Sequence, residues 1–149
     1  MRNLISRIIS VVRGSDSLAE LGSVLCFTAD DISRLRRLPR LEAMKSFGRV
    51  VAGRHGGRVD WRASPEDIYD LLVPCLSPAE RARLPGVETI ETSPPLKVLR
   101  VLASYLQDTE RVLRVIEDGS DSYLVLLVPR ERVRTFEWAV RLSDDMKLA

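Results

Sequence analysis

Histidine is nearly absent from this chain and cysteine is scarce: His55 is the sole histidine, and Cys26 and Cys75 are the two cysteines among 149 residues. A Ser/His/Asp or Cys/His centre would have to be built on His55, and no Gly-x-Ser-x-Gly elbow accompanies it. One histidine and two scattered cysteines cannot close a zinc site. The cysteines form no C-x-x-C pair, which excludes a disulfide framework and a thiol redox motif. Both lie in apolar surroundings, Val24-Leu25-Cys26-Phe27 and Leu72-Val73-Pro74-Cys75-Leu76, and read as buried, inert thiols. His55 stands in Gly53-Arg54-His55-Gly56-Gly57 and reads as a solvated loop residue, its pKa depressed if the flanking arginines are close. The same glycines are no phosphate loop. No Lys-Ser/Thr follows them, and they lead into a strand, so they read as a helix C-cap and turn.

Long apolar runs are missing as well, so no membrane span is expected. Near the start, Arg7 interrupts and Arg13 closes the apolar residues, which leaves no signal-peptide core; a cytoplasmic location is expected. Leu4, Ile5, Ile8, Ile9 and Val12 recur at helical spacing opposite Arg2, Asn3 and Ser10, an amphipathic helix that should pack on the domain or on a partner. Charge of one sign is also lacking. The net charge is +2, and the acidic residues are interspersed with the basic ones. A strong nucleic-acid binder would carry a larger excess. All but three of the 23 basic residues are arginine, which suits a GC-rich genome or, functionally, bidentate contacts to anions.

What is present is a set of legible helix starts. Ser64-Pro65-Glu66-Asp67 places a capping serine before proline, with Asp67 able to reach back, and predicts a helix from Pro65 to Val73 that Pro74 stops. Ser77-Pro78-Ala79-Glu80 repeats the device for a short helix ended by Pro85-Gly86. Ser93-Pro94 opens a third, to about Gln107, with Val98, Leu99, Leu102, Tyr105 and Leu106 on one broad apolar face. Thr28-Ala29-Asp30-Asp31 starts another, a further helix runs from about Arg40 to Gly53, and a short one is read from Asp16 to Leu25.

Strands are fewer. Gly57 to Arg62 alternates, with Val59 and Trp61 on one face, and reads as a half-exposed edge strand. Arg111 to Glu117 is largely aliphatic and leads into Asp118-Gly119-Ser120-Asp121, a hairpin signal. Ser122 to Val128 is apolar on both faces and belongs in the middle of a sheet, between its hairpin mate and the Trp61 strand. A last helix from Arg130 to about Ser143 carries Val133, Phe136, Ala139 and Val140 on its core stripe. The expected architecture is a single α+β domain over 1–149: a small three-stranded sheet including the hairpin, with helices on both faces. Residues 1–56 are mainly helical, and 57–149 run strand, helices, hairpin, helix.

Two stretches carry a resemblance. Val59-Asp60-Trp61 with Pro65-Glu66-Asp67-Ile68, and Asp118-Gly119-Ser120-Asp121-Ser122-Tyr123 followed by an aliphatic strand and Pro129-Arg130, resemble a family of bacterial proteins classed as a domain of unknown function. The likeness covers the chain from about Arg58 onward. It implies a mixed helix and strand fold and carries no activity or catalytic residue with it.

Function then rests on surfaces. The leading expectation is a non-enzymatic cytoplasmic module that binds another protein, with Asp118, Ser120, Asp121, Tyr123 and Trp61 as the contact residues; immunity partners that neutralise toxins are small proteins of this class. The first alternative is nucleic-acid binding through Arg34, Arg36, Arg37 and Arg40, with Arg54 and Arg58 near them, although few aromatics are available to stack on bases. The second is a small enzyme using Asp60, Asp118 and Asp121, which requires at least two of them to converge in a pocket. No cofactor and no metal are expected: acids in a hairpin turn ordinarily serve the turn.

Overall fold

The computed structural model describes residues 15–25, 27–52, 54–141 and 146–149. The amphipathic stripe from Leu4 to Val12 and the thiol of Cys26 lie outside them. In order come α1 (Ser15–Val24), α2 (Ala29–Arg37), α3 (Arg40–Val51), β1 (Gly56–Asp60), α4 (Pro65–Leu72), α5 (Pro78–Arg83), α6 (Pro95–Tyr105), β2 (Arg111–Glu117), β3 (Ser122–Pro129), α7 (Val133–Arg141) and β4 (Lys147–Leu148), with short 3-10 turns between some of them.

The helix starts obey local chemistry. Thr28 caps α2 by accepting from the Asp31 N–H. Ser64 and Ser77 each form a reciprocal capping box, with Asp67 and Glu80 respectively returning a carboxylate to the cap N–H. The third expected cap does not form. Helix α6 begins one residue later, with Pro94 at the cap position and no side chain bonding there. Pro74 does not stop the chain abruptly either; a 3-10 turn over Val73–Cys75 carries it through the break.

The sheet has four antiparallel strands in the order β1-β3-β2-β4, not three. The extra strand is the two-residue β4, whose pairing of Ile116 with Leu148 and Glu117 with Lys147 is too short to leave a periodic signal in sequence. Strand β3 is central, paired with β1 on one side and β2 on the other. Its residues alternate between two cores, one on each face. Leu124, Leu126 and Val128 pack with α1, α2, α3 and α7 through Leu21, Leu35, Phe47 and Phe136. Val125 and Leu127 pack with α4 and α6 through Ile68, Leu72, Leu99 and Leu102. The molecule is therefore α+β with helices on both sheet faces.

Tyr105 does not join the apolar face of α6; it is exposed, as is Val101 one turn before it. Trp61 does not share the burial of Val59. The strand ends at Asp60, and the chain turns before the alternation can bury the indole beside Val59. Among the described residues, no helix is long and apolar enough to cross a membrane.

Candidate functional site

The hairpin joining β2 to β3 is held by a residue that its sequence context placed elsewhere. Arg58, in the middle of β1, reaches across β3 and ion-pairs Asp118, with Nη2 donating to Oδ2 at 2.7 Å. Its Nη1 donates to Ser122 Oγ at 3.3 Å and to Ser120 Oγ at 3.4 Å. The other carboxylate oxygen of Asp118 accepts from the Ser120 N–H at 3.1 Å and from the Ser120 hydroxyl at 2.6 Å. The Asp118 side chain is only 4% exposed, so both oxygens are desolvated and both are occupied. Burial acts to raise its pKa. The hydrogen bonds from Arg58 and Ser120 outweigh that and hold the carboxyl below the usual carboxylate range. Gly119 makes the turn at φ +81°, with open space where a Cβ would sit.

Trp61 is tied to the same turn through its backbone N–H, which donates to the Asp121 carbonyl at 3.2 Å. The residue is 51% exposed, and its ring carries the Arg62 guanidinium 4.5 Å from its centroid. Around this corner lies a concavity of about 580 Å³, lined by Trp61, the hairpin from Glu117 to Tyr123, and Lys147. All five residues expected to meet a protein partner, Trp61, Asp118, Ser120, Asp121 and Tyr123, thus line one hollow. The carboxylates of Glu117 and Asp121 have no hydrogen bond or ion pair to any described residue. Of the three aspartates named as enzymatic candidates, Asp118 and Asp121 share the hollow, whereas Asp60 does not line it and accepts from the Arg62 N–H at 2.7 Å.

The basic set is only partly assembled. Arg34, Arg36 and Arg37 are exposed in the last turn of α2, where cations favour the helix dipole, and Arg40 opens α3. Arg58 does not belong with them, being committed to the hairpin turn. Arg54 is exposed in the turn before β1, its carbonyl accepting from Arg111.

At the opposite end of the sheet is a second polar cluster. Arg111, the first residue of β2, donates to both Glu80 oxygens at 2.6 and 3.2 Å, to the Cys75 carbonyl at 2.7 Å and to the Arg54 carbonyl at 3.2 Å. Burial pushes the Glu80 carboxyl up, but the Arg111 and Ser77 hydrogen bonds more than offset this and lower it. His55 is half-buried, not solvated: its ring packs 5.3 Å from that of Phe27, and Leu127 donates to its carbonyl at 2.7 Å. Desolvation lowers its pKa first, with Arg111 and Arg54 adding to the effect. Arg130 nearby is spent on the Thr109 and Gln107 carbonyls. Among the described residues, no group of three His, Cys, Asp or Glu is placed to hold a metal ion.

Arg58 and Arg111 were missed as organising residues. The only trace of either is an arginine within a strand pattern, and their partners lie 60 and 31 residues away: strand register brings Arg58 to the hairpin, and the packing of α5 against the start of β2 brings Glu80 to Arg111. No curated protein matches this chain, and no solved structure does. A family model described as Domain of unknown function (DUF6630) matches residues 51–144, the stretch that carries β1, the two capping boxes, the hairpin and α7, and the chain belongs to that family.

Proposed function

We propose that the chain is a non-enzymatic protein-interaction module of the cytoplasm whose partner docks on the hollow formed by Trp61 and the Glu117–Tyr123 hairpin. The observation that carries this reading is the half-exposed Trp61 at a concavity whose polar wall is already cross-linked by Arg58, Asp118 and Ser120. Tryptophan offers a large contact area and is enriched where interfaces concentrate their energy. A turn cross-linked by Arg58, Asp118 and Ser120 needs little ordering when a partner arrives, which removes part of the cost of association. Neutralising a toxin is one form such binding takes.

The same geometry argues against chemistry at this corner. A general acid needs a raised carboxyl pKa, and Asp118 is shifted the other way with both oxygens engaged. The arginines at the end of α2 are accounted for by the helix dipole, and no exposed aromatic belongs to that helix.

The test is affinity capture from native cell extract with the wild-type chain and the Trp61→Ala variant. A stoichiometric protein retained by the first and lost by the second is the expected result. Absence of any protein whose capture depends on Trp61 overturns the proposal. Salt-sensitive binding of duplex DNA or RNA abolished by Arg36→Ala and Arg37→Ala would favour the nucleic-acid reading instead.

A further inference from the structure

We infer that Asp118–Gly119 is a latent isoaspartate site, held closed by the cross-strand ion pair from Arg58. Asp118 is the one aspartate in the chain that a glycine follows, and the one asparagine, Asn3, precedes a leucine. Aspartate before glycine is the arrangement most open to cyclisation, because no Cβ shields the neighbouring amide. Nothing lies within 4 Å of where a Gly119 Cβ would sit, so the turn adds no shield of its own. In the reaction the Gly119 nitrogen attacks Asp118 Cγ. The N–Cγ bond forms, the Cγ–OH bond breaks, and the amide proton leaves with that hydroxyl as water. Water then opens the succinimide. Opening at Cγ restores aspartate, whereas opening at the former main-chain carbonyl leaves isoaspartate, with no net change in composition. The main chain is then one methylene longer, and the carboxylate that faced Arg58 has left its place. Water is the only reagent, and the chemistry proceeds whether or not a partner occupies the hollow.

The fold opposes the first step in two ways. Cyclisation draws on the protonated carboxyl, but Arg58 Nη2, 2.7 Å from Oδ2, favours the carboxylate. Cyclisation also requires Cγ to turn toward the Gly119 nitrogen. Oδ2 is tethered to β1 by Arg58, while Oδ1 accepts from the Ser120 N–H at 3.1 Å and from its hydroxyl at 2.6 Å, so the carboxyl is held at both oxygens.

The test is peptide mapping of the full chain held at neutral pH and 37 °C. Electron-transfer fragmentation of the tryptic peptide Val115–Arg130 separates isoaspartate at 118 from isoaspartate at 121. An arginine beside an aspartate depletes its protonated form about tenfold or more at a given pH, so Arg58→Met should speed isoaspartate formation at 118 by at least about tenfold. Ser120→Ala, at an exposed position, should speed it by a smaller factor. Adding Gly119→Ala to Arg58→Met should suppress it. In concentrated urea, where the ion pair is gone, wild type and Arg58→Met should react at the same rate. Circular dichroism identifies folded variants. No acceleration in folded Arg58→Met, isoaspartate that gathers at 121 instead of 118, or a variant that stays faster than wild type in urea would overturn the inference. Should Arg58→Met fail to fold, Ser120→Ala decides: acceleration at 118 supports the site, and an unchanged rate removes it.

Discussion

The Arg111 guanidinium donates to Glu80, to the Cys75 carbonyl and to the Arg54 carbonyl, so the turn before β1 and the Cys75–Glu80 stretch meet on one side chain. Glu80 is 2% exposed, and removing its partner would strand a buried carboxylate. Arg111→Ala should therefore cost about 3 kcal/mol in urea-unfolding free energy, and Arg111→Lys should recover only part of it because the fork geometry is lost. His55 gives a pH signature of its own. Burial, reinforced by Arg111 and Arg54, makes the folded chain bind the imidazole proton more weakly than the unfolded chain does. The unfolded state thus takes up more protons as pH falls. The His55 contribution is complete above the ordinary value of 6.5 and is lost as pH drops through the lower folded value. Stability measured from pH 7 to about 5 should decline, and His55→Phe should flatten that decline. Glu80 and Asp118, both lowered, withdraw their contributions only at more acidic pH.

At the scale of elements, two glycines sit in backbone conformations that L side chains rarely adopt, and they should respond differently. Gly56 opens β1 at φ +131°, where an added Cβ would lie 1.9 Å from the Val125 carbonyl oxygen. Gly119 turns at φ +81° with nothing near. Gly119→Ala should cost about 1 kcal/mol for the dihedral alone, whereas Gly56→Ala must also push β1 off β3 and should cost at least about 3 kcal/mol. Thermal unfolding of the two variants side by side measures the difference. The capping boxes at Ser64 and Ser77 were legible because cap chemistry lies within four residues. The absent cap at Ser93 shows where local reading stops: the spacing was suitable, yet with Pro95 following Pro94 the helix begins one residue later. The hairpin and its aliphatic return strand were also readable, since the turn glycine and the apolar run are contiguous.

For the molecule as a whole, the family match at 51–144 omits most of what covers one sheet face. Leu21, Leu35 and Phe47 come from α1, α2 and α3 and pack against Ile116, Leu124, Leu126 and Val128. A fragment beginning at Val51 would expose that face. It should bind a hydrophobic dye and self-associate, whereas the full chain should do neither, as dye fluorescence and light scattering would report.

The sequence by itself determined the helix starts at Thr28, Ser64 and Ser77, the hairpin and the central place of β3, because each depends on contiguous residues or on simple alternation. Tertiary structure decided the rest. Strand register carried Arg58 to Asp118, set Trp61 beside the hairpin turn and added the two-residue β4, while the packing of α5 against the start of β2 brought Glu80 to Arg111. The strand outcomes depend on which backbone atoms pair across the sheet. A shift of one residue would put every side chain of a strand on its other face, and no local pattern in the chain encodes that choice.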